Sequence, residues 1–139
     1  MIKSIYASVL CLCLGMVSPA FAEAPQSTAL TSQVSVAGQM NLDKFSALLK
    51  QGFKSVIVNR PDQESGNVVS VSQLREMAEK SHVSVIYQPV ESGKISQTDI
   101  QEFAKYYNEL TKPILLVCRS GSRSASLFNQ AKAQGLLND

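Results

Sequence analysis

The strongest constraint on this chain is a repeated alternation between short apolar runs and segments whose apolar residues recur at helical spacing. Val56-Ile57-Val58 and Ile114-Leu115-Leu116-Val117 are uninterrupted aliphatic runs, the pattern of strands covered on both faces. Amphipathic segments lie around them. After Asn41, a capping residue, Leu42, Phe45, Leu48 and Leu49 share one helical face, and Gly52 is a good stop. Ser70 stands three residues before Gln73, the spacing of a capping box, ahead of the stripe Val71, Leu74, Met77 and Ala78. Ser96 and Asp99 open a third helical segment carrying Ile100, Phe103, Ala104, Tyr107 and Leu110; a last one runs from Ser122 or Arg123 to Gln134, before Gly135. Val34–Ala37 and Val83–Tyr87 read as further strands. The order is strand then helix throughout, which predicts an α/β fold: a parallel-rich sheet flanked by helices, not a sandwich or a bundle.

The N-terminal segment stands apart from that pattern. Lys3 precedes a mainly apolar run from Ile5 to Val17, and Ser18-Pro19-Ala20-Phe21-Ala22 ends in the Ala-x-Ala pattern of signal-peptidase cleavage. Residues 1–22 are expected to be a cleaved signal peptide, 23–33 a polar, flexible leader, and 34–139 one domain. The product would be exported, and periplasmic if the source is Gram-negative. The apolar run falls short of the roughly 18 uncharged residues wanted for a span, so no stable membrane insertion is expected after cleavage. Of the three cysteines, Cys11 and Cys13 leave with the signal, and Cys118 remains as an unpaired thiol in an oxidising compartment. The net charge of +2 includes Lys3 and has no basic cluster, which argues against nucleic acid as a partner. The sole histidine, His82, reads as a helix-end surface group; it makes no metal cluster, and no cofactor is indicated.

The segment richest in chemistry is Val117-Cys118-Arg119-Ser120-Gly121-Ser122-Arg123-Ser124. It joins a buried strand to a helix, the place where ligands meet an α/β sheet. Gly121 permits a tight bend, so that backbone N–H groups across Arg119, Ser120, Gly121 and Ser122 could face inward as an anion nest at the positive end of the last helix. The same positive field suits a nucleophilic sulfur at Cys118. Arg123 offers planar paired donors to a tetrahedral oxyanion, and Ser124 could donate to the cysteine sulfur. Arg119 either faces solvent, pairs with an acid or broadens the anion site; Ser122 reads as a turn or N-cap residue. Arg60, Asp62 and Glu64 follow the second strand and would open toward the same end of the sheet if the strands are parallel. There Arg60 would bind substrate or orient an acid, and Asp62 would supply or manage a proton. Gln39 is a candidate rim residue. Tyr87, Tyr106 and Tyr107 read as a core boundary.

The four residues between Cys118 and Arg123 resemble the active loop of single-domain rhodaneses. Over a longer stretch the chain resembles the phosphatase-like domain of beta-lactamase hydrolase-like proteins, a relative of the dual-specificity and tyrosine phosphatases. The residues that carry this are Val34–Gln39, Val56–Glu64, Pro89-Val90, Gly93–Ile95 and Cys118–Ser124. That resemblance implies a three-layer cysteine-phosphatase-like sandwich that hydrolyses phosphate monoesters. Cys118 would be the nucleophile, forming a cysteinyl-phosphate, and Arg123 the phosphate-binding arginine. Glu91 then competes with Asp62 as proton donor, because phosphatase relatives carry an acid in the loop after the next strand. Two departures stand out: the usual phosphatase loop is one residue longer, and Val117 replaces the histidine before the nucleophile. The implied partner is a phosphorylated small molecule or protein. Under the rhodanese-like alternative it is a sulfur-containing anion handled through a Cys118 persulfide. A non-catalytic oxyanion-binding or redox-sensing domain is the third reading.

Overall fold

The computed structural model describes residues 26–138; the expected cleavage site after Ala22 lies outside them. Among the described residues no helix is long and apolar enough to cross a membrane. Within the described residues five strands and four helices follow one another: β1 (Thr28–Ala29), β2 (Val34–Ala37), α1 (Leu42–Leu49), β3 (Ser55–Val58), α2 (Val71–Glu79), β4 (Ser84–Tyr87), α3 (Gln97–Glu109), β5 (Ile114–Val117) and α4 (Ser122–Ala133). The sheet order is β1-β2-β5-β3-β4. The four longer strands are mutually parallel, and β1 pairs antiparallel with β2. The expected parallel-rich α/β architecture is therefore present. The addition is β1, inside the segment read as a flexible leader: Thr28 and Ala29 pair with Val36 and Ser35 and give the sheet a short antiparallel edge.

The period of two along each strand divides the core. Val56 and Val58 of β3, with Leu115 and Val117 of β5, pack against Phe45 and Leu48 of α1 and Val71, Leu74 and Ala78 of α2. Ile57, Ile114 and Leu116 point the other way, with Val34 and Val36, onto Ile100, Phe103 and Tyr107 of α3 and Leu127 and Phe128 of α4. Two helices on each face leave β3 and β5 dry on both sides, which is why their sequences run apolar without alternation. Helix starts follow local chemistry. Asn41 accepts the Lys44 N–H, and Ser70 and Ser96 each close a full capping box, with Gln73 and Asp99 respectively. Leu42 departs from its expected place on the buried stripe: it is the first residue of α1 and remains exposed.

Register positions the site. Ala37, Val58 and Val117 stand level across the sheet, and Tyr87 stands level with Val58. The residues immediately beyond them, Gly38, Asn59, Gln88 and Cys118, therefore emerge side by side at the carboxyl edge. Backbone bonds carry the ladder one residue further. Cys118 N–H donates to Ala37 O at 3.1 Å, Asn59 N–H to Val117 O at 2.7 Å and Gln88 N–H to Val58 O at 2.9 Å.

Candidate active site

Cys118 is almost wholly buried. Beyond it the chain turns back through Arg119, Ser120 and Gly121 into α4. Gly121, not Ser122, occupies the N-cap, with φ of 91° in the left-handed region and no side-chain cap, so a β-carbon there would be strained. This turn aims the Gly121 N–H at Cys118 Sγ, 3.0 Å away. A second glycine makes room for the loop. A β-carbon on Gly38 would stand 2.9 Å from Arg119 O and 3.2 Å from Ser120 Cα. The loop borders a cavity of about 280 Å³ lined by Cys118, Arg119, Ser120, Ser122, Arg123 and Ser126, with Ser92, Gly93 and Ile95 from the loop before α3 as the opposite wall.

Arg123, on the first turn of α4, lines the same cavity and is held from three sides. Nη1 donates to Val90 O at 2.8 Å and to Asn59 O at 3.3 Å, and Nη2 donates to Glu64 Oε1 at 2.7 Å. Its Nε is buried and has no hydrogen-bond partner among the described residues. A buried donor left unmatched costs roughly 1–3 kcal/mol, more when charged. Glu64 spans two guanidiniums, since its Oε2 accepts from Arg60 Nε at 2.9 Å. Burial pushes the Glu64 carboxyl up, but hydrogen bonding to Arg123 and the charges of Arg123 and Arg60 together outweigh it and hold the group below its ordinary range.

The remaining candidates divide between the cavity and the scaffold. Arg119 and Ser120 are exposed at the cavity, and Ser120 Oγ pairs with Ser122 Oγ at 3.2 Å. Arg60 is 3% exposed and turned to scaffolding: besides Glu64 it donates to Gln39 Oε1 and, at 2.9 Å, to Ser65 O. Gln39 in turn donates to Gly66 O at 2.9 Å, so it ties loops together. Ser124 does not reach the sulfur; its hydroxyl donates to Asn59 Oδ1 at 2.8 Å. Asp62 lies away from the cavity lining, with Oδ1 accepting the Val71 N–H at the start of α2 at 2.8 Å. Glu91 is exposed and paired with Lys94 at 3.7 Å. The structure thus brings Cys118, Arg119, Ser120, Gly121, Ser122 and Arg123 together in one loop and helix start, while Asp62, Glu91, Arg60 and Ser124 do not line the cavity.

Two positioning groups, the buried Asn59 and the half-buried Glu64, were given no role in the site from sequence. Asn59 Nδ2 donates to Gln88 O at 3.1 Å while Oδ1 receives Ser124, linking β3, β4 and α4 beneath the loop. Glu64 was visible only as a local charge; its four-residue spacing from Arg60 was a signal, but its bond to Arg123 joins residues 59 positions apart. Among the described residues, no group of three His, Cys, Asp or Glu side chains is arranged to hold a metal ion.

Residues 17–135 match the family described as beta-lactamase hydrolase-like protein, phosphatase-like domain. The chain belongs to this family. The beta-lactamase hydrolase-like protein of Agrobacterium fabrum is 29% identical over 99 residues, covering 71% of this chain and 23% of that protein. The chain thus spans about a quarter of the length of such relatives. A candidate phosphatase from Neisseria meningitidis of known crystal structure superposes with a TM-score of 0.70 at 25% identity, over 76% of this chain and 75% of that one. The active form of Tk-PTP gives 0.52 at 19% identity, over 78% and 81%, a likeness of fold. The cysteine-phosphatase-like fold implied by the sequence resemblance is therefore the fold of this domain.

Proposed function

We propose that the domain is a cysteine-dependent phosphatase acting on monosubstituted phosphates through a cysteinyl-phosphate. The observation that carries this reading is that Cys118 and the buried Arg123, whose Nε has no hydrogen-bond partner among the described residues, line one cavity. Cys118 Sγ attacks phosphorus. The loop N–H groups and Arg123 stabilise the equatorial oxygens, and water releases phosphate in a second step. Carbon-free phosphate release from p-nitrophenyl phosphate, lost in Cys118→Ser and sharply reduced in Arg123→Ala, is the expected result. Release that survives Cys118→Ser would refute it.

A second reading, sulfur transfer, is favoured by the cavity lining, which holds hydroxyls and guanidiniums but no carboxylate. The outer sulfur of thiosulfate would pass to Cys118, the S–S bond of thiosulfate breaking as sulfite leaves as an anion, with no proton needed by the leaving atom. Cyanide would then take up the sulfur as thiocyanate. Thiosulfate-dependent thiocyanate formation without phosphate release would select this reading; oxyanion binding without either turnover would select a binding domain. The domain acts outside the cytoplasm on this proposal. A mature N-terminus at Glu23 by mass spectrometry supports export, and an intact N-terminus on the exported form argues against the cleavage.

A further inference from the structure

No carboxylate lines the cavity, and Glu64, Asp62, Asp99 and Glu91 are each paired. Glu64 is shared between Arg123 and Arg60. Asp62 Oδ1 receives the first N–H of α2, on the far face of the sheet from α4. Asp99 Oδ2 accepts the Ser96 N–H at 2.9 Å in the capping box of α3. Glu91 begins a turn closed by the Lys94 N–H onto its carbonyl, pairs with Lys94 at the surface, and follows Val90, whose carbonyl is fastened to Arg123. What faces the cavity in their place is cationic. Arg119 is exposed at its mouth and makes no ion pair among the described residues.

These placements bear on the bond that breaks. An alkoxide leaving group needs a proton as it departs, and a positioned acid typically contributes about 10²–10⁴-fold to such a step. A leaving group that is already a stable anion needs none, and a guanidinium at the mouth matches its charge. We infer that the Cys118 site selects monosubstituted phosphates with acidic leaving groups, above all the anhydrides of phosphoric acid, and discriminates against alkyl phosphates such as phosphoserine. The inference rests on the phosphatase reading. In the first step the Cys118 thiolate bonds to phosphorus while the bridging P–O bond breaks, its electron pair leaving with the phosphate, carboxylate or phenolate. Arg119 faces that developing charge. Water then attacks phosphorus, the P–S bond breaks, the thiolate returns, and the protons of water remain on the released phosphate.

The test is the dependence of kcat/KM on leaving-group acidity. Aryl phosphates from p-nitrophenyl to phenyl phosphate form the series, with acetyl phosphate, inorganic pyrophosphate and ethyl phosphate as anhydride and alkyl probes. Without a proton donor, phenyl phosphate should fall at least about 10²-fold below p-nitrophenyl phosphate. The anhydrides should be turned over, and ethyl phosphate should not. Arg119→Ala should lower the pyrophosphate to p-nitrophenyl phosphate specificity ratio about tenfold, the worth of one charge-assisted hydrogen bond. A shallow series that becomes steep in Glu91→Gln or Asp62→Asn would reveal a general acid and overturn the inference while leaving the phosphatase reading intact. No Cys118-dependent phosphate release from any probe would remove both.

Discussion

Glu64 Oε1 lies 2.7 Å from Arg123 Nη2, while its second oxygen lies 2.9 Å from Arg60 Nε. One carboxylate thus answers two guanidiniums whose side chains are 5% and 3% exposed. Arg60 is fixed in turn by Gln39 and Ser65, so a chain of contacts runs from the loop after β2 to the arginine beside Cys118. Nη1 and Nη2 of Arg123 are both anchored, and its buried Nε has no hydrogen-bond partner among the described residues.

Removing that carboxylate leaves two buried cations without their counter-charge. Glu64→Ala should destabilise the domain by about 3–5 kcal/mol, the range for breaking a buried pair from one side. Glu64→Gln, which keeps an acceptor, should lose less. Urea denaturation measures both, and a loss in Glu64→Ala within the roughly 0–1 kcal/mol of a surface pair would show that the contact is not holding the loops.

The same group makes stability depend on acid. Its carboxyl is more acidic in the fold than the ordinary value of 4.5, so unfolding takes up a proton in the window between the two values. Its contribution is complete above 4.5 and is lost as pH falls through the folded-state value. Unfolding free energy measured from neutral pH downward should therefore fall below about pH 4.5 more steeply in the wild type than in Glu64→Gln. Parallel curves would contradict this.

Gly38 is set by close approach, not by a special backbone angle. A β-carbon there meets Arg119 O at 2.9 Å, and that oxygen belongs to backbone that cannot swing aside. Gly38→Ala should cost about 1–3 kcal/mol, the usual penalty for overpacking, and should weaken oxyanion binding because the Cys118 loop must retreat. Unchanged stability together with unchanged tungstate affinity would mean that the loop yields freely.

Arg123→Lys retains a positive charge but lacks the Nε donor and the planar fork. Tungstate affinity by calorimetry should drop about tenfold or more, as expected for one lost charge-assisted bond. Cys118→Ser should still bind the anion, separating binding from attack. Equal affinity in wild type and Arg123→Lys would remove Nε as an oxyanion donor.

The elements and the loop were legible in the residues alone. Uninterrupted aliphatic runs dictated strands buried on both faces, Ser70 and Ser96 with their third-following partners dictated helix starts, and Gly121 between Cys118 and Arg123 dictated a tight turn, whose Gly121 N–H meets Cys118 Sγ. These are local matters, decided by periodicity, capping and backbone freedom within a few residues. What only the tertiary structure decided is which polar groups reach the cavity. Asp62 caps α2 and Arg60 braces Glu64 within one loop, whereas Ser124 turns to Asn59 and Glu64 reaches Arg123 through partners that parallel pairing of β3 and β5 brings together. Even the edge strand Thr28–Ala29 depends on β2 being present to pair with it. A polar side chain is drawn to whichever donor or acceptor burial leaves unmatched, and that choice exists only once the sheet has assembled.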